Sequence, residues 1–301
     1  MSHGSTSEVI KSLAVNLAIA IAKGIAAVVS GSGAMLAETL HSFADCGNQV
    51  LLLVGARSAR RPADDKHPLG YGRAMYYYSF IVALLLFFGG GVFSVREGWE
   101  KIRHPEPVEN ITLATVILAF SFVLEGWSLY GNIKEISKRR GAKPFVQYLK
   151  DTTDSDLIVV FGENSAAVVG LVFAIGALVL AKETGDGRWD GAGSLAIGVV
   201  LLGVATFLGR EVKSLLVGES ADPSLVEVCE ELAASDPNVE RVLRVLTLQQ
   251  GPGEIVVALK LEMRAGMLTD ELVDAINSYE RQLKLRVPEV RWSFIEPDNQ
   301  D

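Results

Sequence analysis

Six apolar blocks, each near the ~20 residues that cross a bilayer as a helix, occupy the first two-thirds of this 301-residue chain. They run over about 9–29, 33–55, 74–95, 111–131, 156–181 and 191–211. In lipid a backbone must satisfy its own hydrogen bonds, so blocks of this kind fold as helices packed on helices. A hydrophobic content of 49% and a mean hydropathy of +0.29 agree with a membrane protein and not with an ordinary soluble domain. From about residue 215 the chain changes character: charges become frequent and the apolar runs shorten to strand length. Two domains are expected, a helical membrane domain over residues 1–214 and a soluble domain over 215–301.

The second block carries the residues that matter most for function. It reads GAMLAETLHSFADCGNQVLLLVGA, with His41 and Asp45 four apart and therefore on one helix face. An ionisable side chain at mid-bilayer depth is costly, so such groups face the bundle interior and serve an ion or proton path. An imidazole and a carboxylate at this spacing form a chelate suited to a divalent transition metal. Asn16, Lys23, Glu38 and Glu125 also fall inside or at the edges of spans. Lys23 either snorkels or neutralises Glu38 or Glu125, and Glu125 is a candidate for the proton path.

Orientation follows from the basic residues. Arg57, Arg60, Arg61, Lys66 and Arg73 follow the second span, Lys134, Lys138, Arg139, Arg140, Lys143 and Lys150 follow the fourth, and Arg210 and Lys213 close the sixth. The opposite loops are uncharged or mix signs, as in Lys182, Glu183, Asp186, Arg188 and Asp190. The positive-inside rule then puts both termini and the soluble domain in the cytoplasm. The N-terminal MSHGSTSEVIK lacks a basic n-region and is not an Arg-rich leader, so the first span is read as a true span and a bacterial cytoplasmic membrane as the default location. Two cysteines, Cys46 and Cys229, exclude a disulfide framework and a cysteine-rich zinc site. A net charge of −8 disfavours nucleic acid. The glycines Gly31, Gly33, Gly89-Gly90-Gly91, Gly170 and Gly203 are read as helix-packing points.

The tail spells α-β-β-α-β. Residues 223–236 form an amphipathic helix, 239–249 and 254–263 alternate as strands around Gln250-Gly251-Pro252-Gly253, Thr269 caps a second helix to about Leu285, and 289–296 is a last strand. An open sheet face in such a domain invites a second copy. Cys229 is read as a core residue.

LAETLHSFAD in the second span and RRPADDKHPLGYGR in the next loop resemble the two hallmark motifs of the cation diffusion facilitators, a family of divalent-metal/proton antiporters. FGENSAAVVG in the fifth span is similar to the branch that includes a mitochondrial zinc exporter. The resemblance implies an all-α membrane domain of six transmembrane helices, plus a cytoplasmic α+β domain of the metallochaperone, ferredoxin-like kind through which two copies pair. It implies zinc, or a similar divalent ion, leaving the cytoplasm in exchange for protons by alternating access, with the metal as cargo and no resident cofactor. It implies metal ligands on the second and fifth spans: His41, Asp45 and Glu163. Either Ala167 or Val159 stands where the family has a fourth ligand, which leaves Asn164, Asn48 or a water to complete four-coordination. Many relatives bind a second metal in the loop through an Asp, a His three later and a His four beyond. Asp64 and His67 match, and Tyr71 takes the last place, which makes this a weak site. Two rivals stand beside transport: a non-transporting regulatory or assembly member of the family, and a metal-dependent intramembrane enzyme. The latter usually needs a second histidine, as in H-E-x-x-H, and the spans offer His41 alone.

Overall fold

The structure is a computed structural model that describes residues 3–152 and 155–300. Its first elements are α1 (His3–Ser30), α2 (Gly33–Ala59), α3 (Ala74–Leu85), a π-helical segment Leu86–Val92, and α4 (Phe93–Arg103). There follow α5 (Ile111–Arg139), the short α6 (Phe145–Asp151), α7 (Ser155–Thr184) and α8 (Arg188–Val217). The tail is α9 (Ser224–Ser235), β1 (Val239–Gly251), β2 (Glu254–Met263), α10 (Thr269–Arg286) and β3 (Val290–Pro297). The described residues divide into two compact units. One holds the helical stretches up to Gly55, Tyr77–Leu149 and Ser155–Val212; the other holds the loop Ala56–Tyr76 and the chain from Lys213 onward.

Among the described residues, five helices are long and apolar enough to cross a membrane: Leu13–Ser30, Ala74–Arg103, Ile111–Arg139, Val160–Thr184 and Arg188–Val217. The sixth expected span, α2, has the length at 27 residues, but Glu38, His41, Asp45, Asn48 and Gln49 make it too polar to rank with the others by composition. It answers that polarity by burying Glu38, Thr39, His41, Ser42 and Asn48 inside the helical unit. The outward faces are apolar. On α5, Val116, Phe120, Val123, Trp127 and Tyr130 are all more than half exposed and recur every three or four residues, as a lipid-facing stripe does.

The third span is longer than the sequence suggests. The expected end near 95 is passed because a π-helical segment carries the backbone on into α4, and its glycines let α8 come close. A Cβ on Gly91 would meet Leu202, and one on Gly198 would meet Val95 and the Gly91 carbonyl. Gly98 and Gly191 likewise lie backbone to backbone. Close packing of this kind is how apolar helices associate in lipid. Gly33, Gly90, Gly91 and Gly170 are packing points as expected, whereas Gly31, Gly89 and Gly203 have open space where a Cβ would go.

Asp190, read from sequence as a loop acid, is fully buried at the start of α8. Its carboxylate accepts from Ser32 Oγ at 2.5 Å, Gly33 N at 2.6 Å, Ala34 N at 3.2 Å and Lys101 Nζ at 3.1 Å. It thus satisfies orphan amides at the N-terminus of α2, where the helix dipole favours an anion. Lys101 also donates to the Gly31 carbonyl, which joins the ends of α4 and α8 to the α1–α2 turn.

The tail follows the sequence reading closely. The sheet order is β1-β2-β3, with β1–β2 antiparallel and β2–β3 parallel. Ile255, Val257, Leu259 and Leu261 alternate onto one face and pack with Leu225, Cys229, Leu232, Tyr279 and Leu283 of the two helices. Tyr279 closes this core by donating its hydroxyl to the Cys229 carbonyl at 2.6 Å. Leu246 and Phe294 stay exposed on the other face. One local expectation changes: the N-cap of α10 is Leu268 and not Thr269. Glu271 then stands at the third helical position and accepts from the Leu268 amide at 3.1 Å, half of a capping box at its normal spacing.

Candidate metal centre

Helical spacing brings His41 and Asp45 to one side of α2, with Nδ1 3.6 Å from Oδ1, too long for a hydrogen bond. His41 is fully buried and, among the described residues, neither ring nitrogen has a hydrogen-bond partner. Asp45 is partly exposed, into a cavity of about 370 Å³ between α1, α2, α5 and α7. Asn48, Glu125, Glu163 and Asn164 line the same cavity. Glu163 on α7 is buried and accepts a hydrogen bond from the Asn48 side-chain amide, which ties the fifth-span acid to the second-span helix. Asn164 donates to Ser128 Oγ on α5 at 3.2 Å.

Sequence and structure therefore agree on the neighbourhood, and the structure adds its state of assembly. Asp45, Glu163, Asn48 and Asn164 share one cavity; His41 sits one turn behind Asp45 and is not among the lining residues. Among the described residues no three His, Cys, Asp or Glu side chains stand close enough to hold a metal ion as placed. The donor set nevertheless fits a cation. Among the described residues, Asp45 Oδ1, Asn48 Oδ1 and both His41 nitrogens are buried without hydrogen-bond partners, and buried polar atoms are rarely left so. Ala167 is buried on α7 and supplies no donor; the side chain of Val159 lies outside the described residues.

Sequence reasoning missed the extent of the charge network beside this cavity. Lys23 is fully buried, not snorkelled, and its ammonium reaches Glu38 Oε2 at 3.2 Å, Ser42 Oγ at 2.9 Å and Glu125 Oε1 at 3.0 Å. It neutralises both acids named as alternatives. Glu38 in turn fills the space left by Gly170 of α7. The signal was present in the polar residues of α1, α2 and α5, but their pairing is set by helix packing and not by spacing along the chain.

The loop site has a different character. Asp64 Oδ1 accepts from the Lys66 and His67 amides at 3.0 and 2.8 Å and lies 3.3 Å from His67 Nδ1, while Oδ2 accepts from Tyr71 Oη at 2.6 Å. Those bonds, the tyrosine's first, hold its carboxyl down at a pKa of about 2. Arg61 stacks on the Tyr71 ring at 4.3 Å. Both oxygens of Asp64 are engaged in holding the loop.

Comparison with known proteins decides the family. The model of the cation efflux transmembrane domain matches residues 9–217. The chain belongs to the cation efflux family, the cation diffusion facilitators. Similar relatives include the "Proton-coupled zinc antiporter SLC30A9, mitochondrial" of Xenopus laevis, 34% identical over 87% of this chain and 48% of the relative. The "Metal tolerance protein C4" of Arabidopsis thaliana is 30% identical over 79% and 53%. The "Uncharacterized transporter MJ0449" of Methanocaldococcus jannaschii is 23% identical over 88% of each chain. This chain spans about half the length of the first two. As a cation efflux family member it is an integral membrane protein of a transporter family, not of an enzyme family, which removes the intramembrane-enzyme reading.

Proposed function

We propose that this protein is a secondary transporter that exports zinc, or a similar divalent transition-metal ion, from the cytoplasm in exchange for protons. The observation that carries the proposal is the cavity where α2 and α7 meet, lined by Asp45, Asn48 and Glu163, with His41 buried one turn behind Asp45. His41, Asp45 and Glu163 are the metal ligands in this reading, with the carbonyl oxygen of Asn48 or of Asn164, both on the cavity wall, as the fourth. Metal ligands shed protons as they bind, and imidazole titrates near neutral pH, so His41 is the exchange switch. Glu125, on the cavity wall, is the proton-path residue. The name of one similar relative, a proton-coupled zinc antiporter, supports ion and coupling.

The transport unit is residues 1–214 with six spans, α2 being the polar one, and residues 215–301 form the dimerising domain. Both termini face the cytoplasm by the basic loops, and the membrane is a bacterial cytoplasmic one, although one relative named above is mitochondrial. Zinc uptake into pH-jumped proteoliposomes tests the reading. Wild type is expected to accumulate zinc against the proton gradient, and Asp45→Ala to reduce the rate at least about a hundredfold, since a three-ligand site loses one ligand. Wild type without flux under any gradient favours the non-transporting member.

A further inference from the structure

We propose that the cluster around Asp190 is a latch that holds the outer end of the transport path shut and opens each time an ion is released. The inference rests on the transport reading above. It concerns the end of the helical unit away from the basic loops, where α1 ends and α2 begins. On α2 the cavity lining begins at Ser42. Gly33, the first residue of α2, lies nine residues earlier, about 14 Å along the helix at 1.5 Å per residue. Between the two, Ala34, Met35, Ala37, Glu38, Thr39 and His41 are all buried. The helix that carries the candidate ligands is therefore packed shut over its first two turns and meets open space only beyond them.

What closes that end is polar. Asp190 of α8 is fully buried and accepts from Ser32 Oγ, the Gly33 and Ala34 amides and Lys101 Nζ of α4. Lys101 donates as well to the Gly31 carbonyl. Beside them the Glu109 amide donates to the Ser30 carbonyl at 2.8 Å, and the Asn110 side chain to the Val29 carbonyl at 3.3 Å, which ties the start of α5 to the end of α1. An ion pair differs from apolar packing in what its release costs. The attraction of a buried pair is largely offset by the hydration both groups have given up, so a state in which water returns to them lies close in free energy. The Lys101 side chain is 13% exposed, so water already reaches one partner. Rocking of α2 against α4 and α8, the motion that would carry His41 and Asp45 from one side to the other, requires this cluster to let go.

A latch and a fixed pivot give opposite results. Gly33→Cys combined with Lys101→Cys sets one thiol on each side of the cluster. A Cβ on Gly33 would stand 2.7 Å from Lys101 Cδ, within the span of a short bifunctional methanethiosulfonate. With bridging checked by intact mass, zinc flux in proteoliposomes is expected to fall at least about tenfold and to recover on reduction, because a bridged cluster removes the open state from the ensemble. Each single cysteine variant is expected to keep its flux under the same reagent. Flux that survives the bridge makes the cluster a pivot and overturns the proposal. Ala37→Cys leaves the cluster whole and lies one turn beneath it, 1% exposed. Its labelling by a membrane-impermeant thiol reagent, added on the side to which zinc is released and compared with the parent chain, is expected to quicken about tenfold when zinc and a proton gradient are supplied together. Labelling that stays at its zinc-free rate while flux runs overturns the proposal. A wild type without zinc flux sinks the transport reading itself.

Discussion

His41 buries two ring nitrogens that no neighbour among the described residues satisfies, beside a carboxylate 3.6 Å away. At this scale a ligand is marked by missing partners more than by present ones. Asp64 is the contrast: every oxygen is occupied, and its carboxyl is held at about 2 by Tyr71 and the His67 and Lys66 amides. A depressed folded value means the contribution to loop order is present above the ordinary carboxylate value of about 3.9 and is lost as pH falls towards the folded one. Peptic cleavage in the Asp64–Tyr71 loop is therefore expected to rise as pH drops from about 4 to about 2. At neutral pH, Asp64→Asn is expected to speed tryptic cleavage after Lys66 severalfold while leaving zinc flux measurable. Residue identities of the candidate centre were legible because His41 and Asp45 stand out in an apolar run. The Lys23 triad was only half legible: its members were visible, but three-way pairing depends on α1, α2 and α5 meeting.

Elements were most legible where their pattern is local. The tail's period-two strands and 3.6-period helices are bounded by turns, and β2 occupies residues 254–263 as the alternation predicts. The cap of α10 shifted by one residue because Glu271 fixes the helix start from the third position, and the sequence offered a more usual capping residue next door. Asp190 was not legible, since its partners lie more than 85 residues away and nothing near Arg188 hints at them. Removing a buried carboxylate that pairs with Lys101 and caps α2 is expected to cost about 3–5 kcal/mol. Asp190→Ala should accordingly lower the thermal midpoint of the detergent-solubilised protein by several degrees, and an unchanged midpoint contradicts the assigned role. Gly98→Leu tests the α4–α8 contact, where a side chain would collide with the Gly191 carbonyl and the Leu195 backbone. Loss of folded yield is the expected outcome, since overpacking of backbone against backbone has no side chain to yield.

Across the whole molecule, composition and block length are enough for a membrane protein with a soluble tail, and the family match over 9–217 agrees. The count of spans was harder, because α2, which holds the candidate ligands His41 and Asp45, is the long helix least like lipid. In the proposed reading a polar α2 is the physical cost of placing ligands in a bundle, and it is supported by interior partners instead of hydrophobicity. Pairing of two copies through the exposed sheet face is testable at this scale. Phe294→Glu, beside Leu246 on that face, is expected to shift the light-scattering mass of the purified protein towards a monomer. The central claim is that His41, Asp45 and Glu163 together hold the transported ion. Zinc K-edge X-ray absorption on the loaded protein addresses it most directly. The account predicts an oxygen- and nitrogen-only shell with one imidazole, whose scattering disappears in His41→Ala. A shell that keeps its imidazole in His41→Ala, or one that contains sulfur from Cys46, contradicts it.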